Sequence, residues 1–127
     1  MAAPNIVAVT SIIPHTVSIT PADTSRNALV AAPASGSAQK INEIIVSNID
    51  GATAYDATIE VRLADGTSHR AIASTISVPP DASLIVSDKT TMFYLLDTSV
   101  TGEASTLWAT SSTASKLTYT VSYETIT

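Results

Sequence analysis

The sequence predicts an all-β fold: an antiparallel, jelly-roll-like β-sandwich of about eight strands, built as a single domain over residues 1–127 with a possible extended N-terminal arm over 1–13. Three observations lead there. Thr, Ile and Val make up about a third of the chain, and their branched side chains are stiff in a helix but pack well on a pleated sheet. Turn-forming clusters recur about every ten residues, the spacing of a sandwich or barrel. Apolar residues repeat with period two in several segments, and no segment keeps helical periodicity beyond one or two turns.

The elements follow in order. Ile6 to Ile13 alternates only in part and reads as a strand or as the end of an arm. Pro14 is expected to interrupt it, and Thr16 to Thr20 resumes with Val17 and Ile19 on one face. Pro21, Asp23 and Ser25 make a turn, Ala28 to Ala32 a short strand, and Pro33 to Gln39 a loop. The stretch from Lys40 to Leu63 is expected to be a central hairpin. Its first half, Ile41 to Ile49, is apolar on both parities, as in a strand covered on both sides or central in a sheet. Its second half alternates cleanly, with Ala57, Ile59, Val61 and Leu63 on one face and Thr58, Glu60 and Arg62 on the other. Asn48, Asp50 and Gly51 supply turn chemistry between the halves.

Asp65-Gly66 is the sharpest turn signal, because Gly accepts the positive φ of a tight hairpin. The returning strand, Ser68 to Val78, is expected to put Ile72, Ser74, Ile76 and Val78 on one face, and Pro79-Pro80-Asp81 stops it. Leu84 to Val86 reads as a short buried strand. Met92 to Leu96 is a dense apolar run too short for an ordinary helix. Thr106 to Thr110 holds Leu107 and Ala109 on one face and Trp108 on the other. Leu117, Tyr119, Val121 and Tyr123 alternate with polar residues in a strong last strand. No internal repeat is visible.

Scaling of surface with mass suggests that roughly two thirds of the extended chain's surface is buried on folding. That is enough for a core without staples. The chain has no Cys, so disulfides and thiolate metal sites are excluded, in keeping with maturation in a reducing cytoplasm. Only 13% of residues are charged and the net charge is −5. Such a surface suits contact with other protein, since few Lys or Glu need be desolvated. It argues against nucleic acid as a partner, which calls for clustered Lys and Arg. No apolar run has the length of a membrane span, and Met1 to Thr10 has neither the basic region nor the apolar core of a signal peptide.

Catalytic patterns are not found. The two histidines, His15 and His69, read as partly exposed surface residues. No G-x-S-x-G elbow occurs, nor a phosphate-binding or dinucleotide-binding glycine pattern, nor an H-x-x-x-H pair for zinc. Asp50, Asp56, Asp81, Asp88 and Asp97 fall at or near turns, where calcium could be held; turn capping through their own backbone accounts for the same positions. No cofactor and no catalytic or metal-binding residue is therefore expected. Among the aromatics, Tyr119 and Tyr123 share the parity of the core, whereas Trp108 opposes Leu107 and Ala109 and could anchor a partner.

Three blocks support a family resemblance: Met1 to Val7 (MAAPNIV), Lys40 to Val61 (KINEIIVSNIDGATAYDATIEV), and Ser74 to Val100 with the ending Val121 to Ile126 (VSYETI). They resemble small virion structural proteins of tailed bacteriophages, above all phages of cyanobacteria and other aquatic bacteria. One departure is that members often carry a Glu-Glu turn where this chain has Leu96-Asp97-Thr98.

The resemblance implies a capsid decoration or cement protein, made in the host cytoplasm and resident on the outer surface of the virion. It would bind the major capsid protein and neighbouring copies, with a trimer the simplest oligomer. An apolar arm that adds to a neighbour's sheet edge would suit that task. The interface residues expected on these grounds are Pro4, Ile6, Val7, Val9, Ile12 and Trp108. A neck, baseplate or tail-fibre component is the structural alternative, and a host-glycan-binding module with Trp108 or Tyr55 exposed is the alternative of another class.

Overall fold

In the computed structural model, which describes residues 9–127, nine strands pair in two antiparallel sheets. They are β1 (Ile12–Ile19), β2 (Asn27–Val30), β3 (Ala38–Asn48), β4 (Tyr55–Leu63), β5 (His69–Val78), β6 (Ser83–Ser87), β7 (Phe93–Leu96), β8 (Ala104–Ser111) and β9 (Leu117–Ile126). One sheet runs β1-β9-β3-β6, with β7 also on β3; the other runs β2-β8-β4-β5. The pairings β1·β9, β2·β8, β3·β6 and β4·β5 nest inside one another. The chain is thus one long hairpin folded over itself, with Asp65-Gly66 at its innermost turn. That nesting is a jelly roll. The ninth strand is β7, which pairs with the first half of β3 while β6 pairs with the second.

This topology corrects the expected central hairpin. β3 and β4 do not pair with each other; each lies inside a different sheet, and Ile49 to Ala54 carries the chain from one to the other. Asn48 fastens that crossover. Its side chain, 3% exposed, donates to the carbonyls of Thr53 (2.8 Å) and Val78 (3.0 Å) and accepts from the Asp50 N–H (2.9 Å). The apolar residues on both parities of β3 also have a different cause from coverage on two sides. Asn42 is an extra residue in the ladder between Ile41↔Tyr123 and Glu43↔Ser122. The bulge flips the parity, so Ile41, Ile44 and Val46 all reach the core, while Ile49 lies beyond the strand and is exposed.

The core closes between the two inner faces. Ile41, Ile44 and Val46 of β3 and Leu117, Tyr119 and Val121 of β9 face Ala57 and Ile59 of β4 and Leu107 and Ala109 of β8, with Leu29, Val30, Val78 and Leu95 completing the cluster. The alternation expected for β4 and β9 is observed. Tyr119 is fully buried and shares a hydrogen bond with Ser111 (2.8 Å), so its hydroxyl is satisfied inside the core.

Three further expectations change. Pro14 does not interrupt the first strand. Ser11 and Thr127 exchange both backbone hydrogen bonds (3.2 and 3.0 Å), and the register continues unbroken from Ile12↔Ile126 to Ile19↔Tyr119. Bonded and non-bonded pairs alternate in an antiparallel ladder, so the odd-numbered residues of β1 bond to β9. Pro14 falls among those that face the free edge, where no N–H is missed.

Ile72, expected to share a face with Val78, is 39% exposed while Val78 is fully buried. Two bulges insert extra residues into β5 opposite Ala57 to Glu60, and Thr75 takes a positive φ of 52° there. Ile85, in the segment read as buried, is 65% exposed because it points outward from an edge strand. Gly66 does adopt the left-handed conformation expected of the hairpin turn, at φ 77°.

Candidate functional site

The sandwich offers two outer faces and a set of edges. Strand edges invite pairing with other chains, and here each is blunted. β1 carries Pro14, β5 carries two bulges, β2 has four residues and a register shift, and the opposite edge of the first sheet is divided between the short β6 and β7. The broad faces remain.

The outer face of the first sheet is lined with small hydroxyl side chains held to one another across strands. Ser18 bonds Thr120 (3.1 Å), Thr20 bonds Thr118 (2.7 Å) and Ser47 bonds Ser83 (2.8 Å). The alternation of β9 generates this row, since burying Tyr119 and Val121 turns Thr118, Thr120 and Ser122 outward. Asn42, at the β3 bulge, donates to the Glu124 carboxylate (2.8 Å).

The outer face of the second sheet centres on Trp108 of β8. Its indole N–H donates to the Thr106 hydroxyl (2.8 Å). The Arg62 guanidinium sits 4.7 Å from the ring centroid, and the His69 ring meets Trp108 edge-on at 6.2 Å. The ladder places them together: Glu60 is opposite Trp108, Arg62 is opposite Thr106 on one side and His69 on the other. Glu60 is engaged by Arg26, whose Nε donates to its carboxylate at 2.9 Å, and that bond raises the arginine's pKa. Among the described residues neither Arg62 Nε nor His69 Nδ1 finds a hydrogen-bond partner, and both atoms are buried.

The aspartates at turns mostly serve their own backbone. Asp50 accepts from the N–H groups of Ala52 and Thr53, Asp88 from that of Thr90, and Asp97 from those of Ser99 and Gly36. The Ala52 N–H does most to lower the pKa of Asp50, the Thr90 hydroxyl that of Asp88 and the Ser99 hydroxyl that of Asp97. Asp65 is lowered well below the carboxylate range, first by the Ser68 hydroxyl and then by backbone N–H groups. Asp56 and Asp81, also read as turn caps, play other parts: Asp56 lies within β4, and Asp81 takes a positive φ of 53° while its side chain approaches Gly51. Among the described residues no cluster of His, Asp and Glu could hold a metal ion. His15 stacks on Tyr123, with ring centroids 4.8 Å apart.

Of the interface residues expected from the sequence, Pro4, Ile6 and Val7 lie outside the described residues. Val9 is half-buried. Ile12 is exposed but belongs to β1 rather than to an arm, since Thr10 and Ser11 already bond Thr127. Trp108 faces outward as expected, yet it is half-buried, with one face of its ring under Arg62. Ile12 and Trp108 lie on different sheets and do not form one patch. The sequence reads His69 as a partly exposed surface residue and puts Arg62 on the outer face of its strand, without assigning either to a site. Their meeting at Trp108 depends on pairing between strands distant in the chain.

An eight-strand jelly roll with an added strand thus defines the class of protein. No protein-family model matches the chain, and no curated protein matches it. Among solved structures, a chain from Bacillus endospore appendages, described as a novel family of disulfide-linked pili, has 17% identity and a TM-score of 0.49, covering 91% of this chain and 87% of that one. Chains of infectious bursal disease virus are also similar. One from the Gx strain has 18% identity and a TM-score of 0.42, covering 91% of this chain and 31% of that one. One from the VP2 subviral particle has 18% identity and a TM-score of 0.36, covering 89% and 32%. This chain therefore spans about a third of the length of those viral chains. Likenesses of this degree assign no function.

Proposed function

We propose that this chain is a bacteriophage virion structural protein, a capsid decoration or cement protein that binds the major capsid protein and neighbouring copies on the outer surface of the head. The observation that carries the reading is the outer face of the first sheet. Its hydroxyls are already ordered in cross-strand pairs, so covering them costs little side-chain entropy and desolvates few charges. A rigid jelly roll presenting such a face suits adhesion to a repeating shell, where many weak contacts add through avidity. The likeness of the Lys40 to Val61 and Ser74 to Val100 blocks to phage virion proteins supports the same role. Jelly rolls also occur in viral capsids, which is support by analogy of fold.

The role is adhesive, without catalysis. Both histidines are used in ring packing, on Tyr123 and on Trp108. The protein would be made in the host cytoplasm and assembled as a symmetric oligomer, a trimer being the simplest at a three-fold position. With every edge blunted, the broad faces rather than added strands would carry the contacts.

Counting copies in purified particles tests this. Decoration of the lattice expects copies in proportion to the major capsid protein, and a few dozen or fewer would assign the chain to the neck, baseplate or tail instead.

A further inference from the structure

We infer that the Arg62–Trp108–His69 cluster on the second sheet is a carboxylate-recognition site that takes an acidic segment of a protein partner. Three observations lead to it. First, the Arg62 guanidinium carbon lies over the Trp108 ring, 4.7 Å from its centroid, which restricts the guanidinium before any ligand arrives; a planar fork of this kind matches a carboxylate through two parallel hydrogen bonds.

Second, Arg62 has no acid of its own. The chain carries 11 acidic residues, yet the ion pairs among the described residues are Arg26–Glu60 and Lys116–Asp50. Glu60, the acid nearest in the ladder, is taken by Arg26 on the far side of Trp108. Third, among the described residues Arg62 Nε and His69 Nδ1, on directly opposed residues, are buried without hydrogen-bond partners, so no acceptor of the fold fixes the guanidinium from below and its terminal nitrogens are the ones left to meet a ligand.

Protein is favoured over an anionic glycan by the state of the indole. Sugar binding needs a bare aromatic face, and Arg62 covers one face of Trp108 while His69 meets its edge. The site also lies on the open face of a sheet, which a peptide can cross. The partner, in the reading of the chain as a decoration protein on which this inference rests, is a shell protein presenting Asp or Glu.

The chain has a single Trp, so its fluorescence reports this site alone. The purified protein is titrated with an acetylated octapeptide of alternating Glu and Gly, followed by Trp emission and by calorimetry. Saturable binding that weakens with added salt is expected, at least about tenfold weaker in Arg62→Gln, because both prongs of the fork are lost, and intermediate in Arg62→Lys, which keeps the charge without the fork. Urea midpoints of the variants verify that they fold. The assignment is overturned by absence of saturable binding at millimolar peptide, or by equal binding in Arg62→Gln. Saturation by a sialylated oligosaccharide at lower concentration than the peptide would overturn it in favour of a glycan. Self-association of the pure protein that Arg62→Gln abolishes would overturn it in favour of a second copy. The titration needs no particle: peptide failure with the protein abundant on capsids removes only this site, and peptide binding with the protein absent from virions removes only the decoration role.

Discussion

Replacing Asn48 tests how the two sheets are joined. Asn48→Ala removes three hydrogen bonds at once, from the side chain to the Thr53 and Val78 carbonyls and from the Asp50 N–H to the side chain. They are not equivalent. Thr53 is exposed and its carbonyl can turn to water, whereas the bond to Val78 is buried. Leaving that acceptor unpaired costs about 1–3 kcal/mol, and the two less buried bonds add about 0.5–1 kcal/mol each. The expected loss is therefore about 2–5 kcal/mol, a large share of the roughly 5–15 kcal/mol that stabilises an ordinary domain.

Asn48→Asp sharpens the test. It keeps the acceptor for Asp50 but sets a carboxylate against two carbonyl oxygens. Its loss at pH 7 should exceed that of the alanine variant and shrink on acidification, since protonation restores a donor. Urea unfolding followed by Trp108 emission measures both. A loss under about 1 kcal/mol for Asn48→Ala, or a pH-independent loss for Asn48→Asp, would refute the account of the crossover as fastened by this side chain.

Other outcomes follow from the same structure. Pro14→Val adds an N–H to the free edge of β1 without touching the ladder to β9, so stability should stay within about 0.5 kcal/mol while concentration-dependent association appears in light scattering. Tyr119→Phe strips the buried hydroxyl from Ser111 and should cost about 1–2 kcal/mol in urea unfolding. The carboxyls of Asp23, Asp50, Asp65, Asp88 and Asp97 all have lowered pKa values in the folded state. Their contribution is present above the unfolded carboxylate value near 4 and is lost as pH falls through the folded values. Thermal melts should therefore drop below about pH 4, with a gentler slope in Asp65→Asn.

The alternation of β4 and β9, the Asp65-Gly66 turn and the outward setting of Trp108 were legible in the sequence, because side-chain direction along a strand and the φ demanded by a tight turn are local properties of the backbone. The same locality explains what was misread. Ile41 and Ile44 differ in parity, and nothing in their neighbours reveals that Asn42 bulges out of the ladder; only the partner strand β9 defines the register that makes it an extra residue. Pro14 could be placed in a strand only once β1 was found to be an edge and its register to β9 was known.

By itself, then, the sequence determined the class of fold, the strand content and the innermost hairpin, all through short-range periodicity and turn stereochemistry. Tertiary structure alone decided that β3 and β4 lie in different sheets, which strands pair within the expected jelly-roll-like sandwich, and that Arg62 and His69 meet at Trp108. Those facts depend on which strands lie side by side, and strand partners far apart in the chain are chosen by burial of the whole core rather than by any one segment.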